Sequence, residues 1–230
     1  MKNRNHSYTI LINPNLYLKD PTSSDLGKRI LENGLIYLDE VGLEEFSFRK
    51  LAIRISSTES SIYRYFENKH YFFVYLMNWY WEWMSSRIDM KTQKITDPLK
   101  KFKKVIALLI DSTKTDNSTP FIDEEILHRI VVREGTKAYH HKLVDNENGY
   151  GFFLSYKTLC KKIGAIISTL NPDYKFPLAM ASTLLETSNN NIYFAKHLPR
   201  LTDVKEGKGM KSSLTNLLLD ISMTSILKKE

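Results

Sequence analysis

An all-α fold is what this sequence predicts: about nine or ten helices, arranged as a small N-terminal helix-turn-helix head followed by a larger helical bundle. Three observations predict it. Apolar residues recur at spacings of three and four along most of the chain, the mark of helices with one buried face. Capping residues such as Ser47, Thr58 and Asp97 stand immediately before those runs, where a side-chain oxygen takes up an orphan backbone N–H. And one stretch, Phe46 to Lys69, compresses two short periodic runs around a polar break, Ser56-Ser57-Thr58.

Residues 1–21 differ from the rest. Two β-prone runs flank Asn13-Pro14-Asn15, so the segment reads as an arm or a small hairpin, lying along another molecule or packed on the body. Ser23 or Ser24 caps the first helix, with Asp25 in its first turn. Its apolar stripe is Leu26, Ile30, Leu31, Leu35, Leu38 and Val41, and Gly42 ends it. The next helix, capped by Ser47, turns Phe48, Leu51, Ala52 and Ile55 inward. After the break, Thr58 caps a second short helix with Glu59 in its first turn. Ile62 and Phe66 fall on one side of it, and Ser57, Ser60, Ser61 and Arg64 on the other. A face of small hydroxyls and one Arg fits closely against a duplex. Hydroxyls reach phosphates or base edges, and Arg pairs bidentately with guanine. The pair is a helix-turn-helix candidate.

A long helix over residues 70–90 follows, with large apolar groups on nearly every side, so burial is expected all round. Asp97-Pro98 opens the next helix, with Leu99, Phe102, Val105, Ile106 and Leu109 inward and Lys100, Lys101, Lys103 and Lys104 on a solvated face. Residues 114–119 read as a polar loop. Pro120 opens a further helical stretch, broken at Gly135. The polar run 145–149 reads as a loop and residues 150–170 as a long amphipathic helix. Two helices end the chain, 177–197 and 211–227.

At 230 residues the chain can bury a sizeable core. A single cysteine, Cys160, allows no internal disulfide, and a reducing, cytoplasmic setting is expected. Residues 1–7 carry no apolar leader, and no apolar run nears the ~20 residues of a membrane span. The net charge of +7 says little by itself. Residues 1–90 hold 11 basic and 11 acidic side chains, so the excess lies downstream of the head. Between Ser47 and His70, though, Arg49, Lys50, Arg54, Arg64 and Lys69 outnumber Glu59 and Glu67.

Residues 24–72 resemble the DNA-binding module of the TetR family of bacterial transcriptional regulators. The resemblance rests on Ser47, where the family usually has Thr, on Leu51-Ala52, on Ile62-Tyr63-Arg64-Tyr65-Phe66, on Lys69, and on Gly42 upstream. The family's turn usually holds Gly and an aliphatic residue where Ser56 and Ser57 stand, and Glu59 occupies a position where Lys or Arg is common. The resemblance implies a DNA-binding head at 22–69 and a ligand-binding and dimerisation domain at 70–230. It implies a homodimeric, ligand-responsive repressor on a palindromic operator, paired through the helices at 177–197 and 211–227. Ser60, Ser61 and Arg64 are then the base-reading candidates. Ser47, Thr58, Tyr63, Tyr65 and Lys69 are phosphate-contacting or positioning candidates. Trp79, Trp83, Phe102, His128 and Tyr156 are the candidates for a pocket holding an unknown small-molecule effector. A helical small-molecule or protein-binding module that has lost DNA binding is the alternative.

No enzyme motif stands out. The six histidines show no metal-ligand spacing, Cys160 lies mid-helix, and there is no nucleophile elbow or phosphate-cradling glycine loop. No metal, cofactor or catalytic residue is expected.

Overall fold

The computed structural model describes residues 10–111 and 120–227; the loop expected at 114–119 lies outside them. Among the described residues there are ten α-helices, four short 3-10 turns and no strand. The fold is all-α, as the periodicity predicts. The helices are α1 (Asp25–Glu45), α2 (Phe48–Arg54), α3 (Glu59–Tyr63), α4 (Lys69–Thr92), α5 (Pro98–Ile110), α6 (Glu124–Glu134), α7 (Val144–Gly149), α8 (Leu154–Leu170), α9 (Pro177–His197) and α10 (Met210–Ile226). None is long and apolar enough to cross a membrane.

The chain divides into two compact units, Met1–Glu82 with Lys114–Ser155, and Trp83–Thr113 with Tyr156–Glu230. In the first unit, α1 begins at Ser24, whose hydroxyl accepts from Gly27 N–H at 3.2 Å. Gly42 interrupts it with φ 77°, a left-handed conformation that glycine enters without steric cost. The apolar stripe read from the sequence is the buried face: Ile30, Leu31, Leu35 and Leu38 have almost no exposed surface. Helix α6 lies along α1. Its buried Leu127, Ile130 and Val131 supply the apolar contact. At the edges Arg129 reaches Asp39 at 2.6 Å and Lys137 reaches Glu44 at 3.1 Å, while Arg133 donates to the Leu38 carbonyl at 3.1 Å. Such exposed ion pairs contribute little each; their value is to fix the register of α6 on α1.

Three local expectations need correction. Residues 10–21 form no hairpin. Asn13 and Asp20 accept the N–H groups of Asn15 and Thr22 and so cap two 3-10 turns, Pro14–Leu16 and Pro21–Ser23. Residues 1–9 lie outside the described ones. Helix α6 starts after Asp123, whose carboxylate accepts from both Glu125 and Ile126 N–H, and not at Pro120. The polar run 145–149 is helix α7, and the amphipathic helix after it starts at Leu154 instead of Tyr150.

The second unit is built from the end of α4 with α5, α8, α9 and α10. Asp97 caps α5 through the Lys100 N–H at 2.7 Å. Phe102, Val105, Ile106 and Leu109 on α5 are buried; so are Ile163 and Ile167 on α8, Leu184 on α9, and Leu214 and Leu218 on α10. Helices α5, α9 and α10 pack against one another, and Asn171 donates to the Ile226 carbonyl at 2.7 Å at the end of α10.

Candidate nucleic-acid interface

The head is a pair of short helices joined by a turn that the sequence makes in an unusual way. Helix α2 is capped by Ser47, which accepts from Lys50 N–H. At its other end Ser56 N–H reaches the Ile53 carbonyl at 3.1 Å and Ser57 N–H reaches the Ala52 carbonyl at 2.9 Å. This is the paired bond pattern of a Schellman stop, with the left-handed residue at Ser56. Ser56 has φ 49°, and among the described residues it is the one non-glycine with positive φ. The guanidinium of Arg29 donates to the Ile55 carbonyl and ties this turn to α1. Because an L-residue pays for that conformation, Ser56→Gly should raise the stability of the protein by about 0.5–1 kcal/mol. A rise in the urea midpoint at unchanged slope is the expected reading.

Thr58 caps α3 and is the hub of its hydroxyl face. Its oxygen accepts from Ser61 N–H at 3.3 Å, and lies 2.7 Å from the Ser61 hydroxyl and 3.0 Å from that of Ser60. Helix α3 is only five residues long, too short to persist alone. Its Ile62 is fully buried, and the helix packs against α2, whose Leu51 and Ala52 are buried as well. Tyr63 is half-exposed and packs edge-on against Phe48 at 5.2 Å. Arg64 is exposed at the end of α3, and Arg49 and Lys50 are exposed on α2; no carboxylate among the described residues pairs with these three. Arg54 is engaged instead. Its bidentate contact with Glu40 lowers that carboxyl's pKa, chiefly through the hydrogen bond.

Two of the candidates are engaged within the head, Tyr65 buried and Lys69 exposed. The Tyr65 ring is buried, its hydroxyl lies 2.7 Å from that of Ser24, and its carbonyl accepts Leu18 N–H at 2.8 Å. Lys19 sits over its ring at 5.3 Å. Lys69 points its ammonium at the end of α1, donating to the carbonyls of Leu43, Glu44 and Phe46 at 2.9, 2.8 and 3.1 Å. Those carbonyls are the ones a helix end leaves without intrahelical donors. Both residues thus make their contacts within the head. The exposed candidates are Thr58, Ser60, Tyr63, Arg64 and Lys69, the last with its ammonium engaged, and Ser47 and Ser61 are half-buried.

The five effector-pocket candidates are divided between the units. Trp79 and His128 are buried in the first, where His128 Nδ1 lies 2.8 Å from the Tyr80 hydroxyl. Trp83 and Phe102 are buried in the second, where half-buried Tyr156 donates to Glu186 at 2.8 Å. Burial, and then the nearby Glu186 carboxylate, push the Cys160 thiol up to about 11, so at neutral pH it stays protonated and unreactive.

One group escaped the sequence reading. His70 on α4, His141, and Glu147 on α7 converge, with His70 Nε2 2.9 Å from Glu147 Oε1 and His141 Nε2 3.1 Å from Oε2. They are far apart or irregularly spaced along the chain, so no spacing rule finds them. Only the packing of α7 beside the start of α4 brings them together.

Neither a protein-family profile nor a curated protein sequence matches the chain. Its structure does have solved neighbours. AibR, solved in complex with isovaleryl coenzyme A and operator DNA, superposes with a TM-score of 0.57 at 14% identity over 84% of this chain and 97% of its own. The ketosteroid transcriptional regulator KstR2 of Mycobacterium tuberculosis gives 0.57 at 15% identity over 90% and 97%. The fatty acid degradation regulator FadR from Bacillus halodurans gives 0.57 at 15% identity over 86% and 93%. Over 84–90% of its length, therefore, this chain shares its fold with those three regulators.

Proposed function

We propose that the chain is a DNA-binding transcriptional regulator of the TetR family, a homodimeric and ligand-responsive repressor acting on a palindromic operator. The observation that carries the reading is the exposed hydroxyl and guanidinium face of α3, Ser60 and Arg64, presented by a helix whose other side is fixed by Ile62. Exposed Arg49 and Lys50 on α2 supply positive charge for the phosphates. The fold neighbours support it, one of them having been solved on operator DNA.

In this mechanism Ser60, Ser61 and Arg64 read base edges. Ser47, Thr58 and Tyr63 meet the backbone, while Tyr65 and Lys69 hold the head in shape. The partner copy joins through α9 and α10, on which Leu178 is exposed and Ile192, Leu217 and Ile221 are half-buried in the single chain. A two-fold dimer sets its recognition helices about 34 Å apart, one turn of the duplex. A small molecule held by the helices after residue 69 shifts the equilibrium by its differential affinity for two head spacings. The chain performs no catalysis, and its setting is the cytoplasm.

Binding-site selection followed by titration tests the reading. The wild type should enrich a two-fold sequence, and Arg64→Ala should weaken that site by about 1–3 kcal/mol while relaxing preference at one position of each half-site. No enrichment at low salt would mean a helical module without DNA binding. An unchanged motif and affinity in Arg64→Ala would remove Arg64 from base reading.

A further inference from the structure

We propose that His70, His141 and Glu147 form a binding site for one divalent transition-metal ion of the zinc class. Three observations converge on it. The first is the donor set. Two imidazoles and a carboxylate present ligand atoms that all lie within 4.8 Å of one another, the combination of nitrogen and oxygen ligands that borderline divalent cations take. In a tetrahedral zinc site, bonds of about 2.0–2.1 Å place neighbouring ligand atoms roughly 3.3 Å apart. The nitrogen-to-oxygen separations here are 2.9 and 3.1 Å, so each imidazole has to draw away from the carboxylate by only a few tenths of an ångström to reach that spacing.

The second observation is charge. Glu147 is a buried carboxylate with a side-chain exposure of 7%, a costly state unless a cation accompanies it. Among the described residues no Lys or Arg pairs with it; the two histidines are its ion-pair partners. The third is an orphan donor atom. Nε2 of His141 is buried and, although 3.1 Å from the carboxylate, makes no well-aligned hydrogen bond. The imidazole rings stand 4.7 Å apart, and both histidines remain about one-quarter exposed, which leaves an entry path and a fourth position for water.

Ligation through Nε2 places each ring proton on Nδ1. For His70 nothing opposes this. For His141, Nδ1 currently accepts Leu143 N–H at 3.3 Å. That contact is long, and Leu143 is exposed, so water replaces it at small cost. The ion would fasten the first turn of α4, one residue beyond Lys69, to α7.

Tag-free full-length protein titrated with Zn²⁺ by calorimetry, and with Co²⁺ followed by visible absorption, tests the site. One ion per chain is expected, with the intense visible bands of four-coordinate Co²⁺. His70→Gln and His141→Gln, on separate segments, should each weaken binding by about 100-fold or more. His140→Gln, exposed and outside the triad, should leave it unchanged. Wild type that binds no more tightly than the His70 and His141 variants, or that shows only the pale spectrum of hydrated Co²⁺, would overturn the proposal and leave an ion-paired cluster of side chains. The wild-type spectrum decides even where a variant folds poorly.

Discussion

Phe72→Ala should be among the most damaging single changes to the head, costing about 3–5 kcal/mol. The ring is completely buried and sits where three others meet. It stacks on Phe46 at 5.3 Å with the planes 2° apart, and meets Phe66 at 5.2 Å and Phe48 at 6.3 Å edge-on. Its far edge lies over Gly34, where an added Cβ would stand 2.5 Å from Phe72 Cζ. The ring therefore joins α1, α2, the turn after α3 and α4 in one contact, and a domain of ordinary stability has only about 5–15 kcal/mol to lose. Truncation leaves a void walled by rigid rings, which collapse less readily than aliphatic chains. Denaturant unfolding monitored by circular dichroism should show a midpoint shift of that size. Phe72→Leu, which keeps part of the volume, should show a smaller one. A loss below about 1 kcal/mol for Phe72→Ala would mean that the rings close over the gap.

Asn78→Asp should be as harmful at neutral pH, and its harm should depend on pH. Asn78 is buried, and its amide donates to the carbonyls of Val74 at 2.9 Å and Phe152 at 2.8 Å. A carboxylate there has no donor to offer and faces two carbonyl oxygens in a buried site. An uncompensated buried charge of this kind costs about 3–5 kcal/mol. Burial disfavours the charged form, so the folded-state pKa of the new carboxyl rises above its unfolded value of about 3.9. The folded chain then holds the proton more tightly than the unfolded chain. Stability is greatest below about pH 4 and falls as pH rises through the raised folded-state value. Melting curves of Asn78→Asp and wild type across pH should diverge with rising pH. Asn78→Leu, which carries no charge, should run parallel to wild type. Parallel curves for Asn78→Asp would show that water reaches the site.

The parts legible in the sequence were those fixed by neighbours along the chain. Ser24, Ser47, Thr58 and Asp97 cap the helices that they precede, because a cap needs only the next three residues. The stripe on α1 and the inward Ile62 and Phe66 follow from helical spacing. Local composition misled where burial overrode it. Residues 145–149 are polar enough to read as a loop, yet the buried Glu147 holds them as α7 beside the start of α4. The segment from Pro14 folds as capped 3-10 turns for a related reason: Asn13 and Asn15 donate their side-chain amides to the Tyr150 carbonyl. Lys69 and Tyr65 could be recognised as members of the head, but only tertiary contacts reveal that Tyr65 is buried and that exposed Lys69 donates to carbonyls at the end of α1. Ser56 is the reverse case. Its type argues against a left-handed turn, and the two Schellman bonds and Arg29 impose one.

The segment that precedes α1 bears on whether the head is a portable part. Leu16 is fully buried, Tyr17 meets Tyr75 edge-on at 6.0 Å, and the Leu18 N–H occupies the Tyr65 carbonyl just past α3. A graft of residues 22–69 alone would leave that carbonyl without its donor and remove the cation over the Tyr65 ring. Moving the head to another body would thus mean carrying its upstream strap along, from Asn13 onward, as an inseparable piece of the same structure.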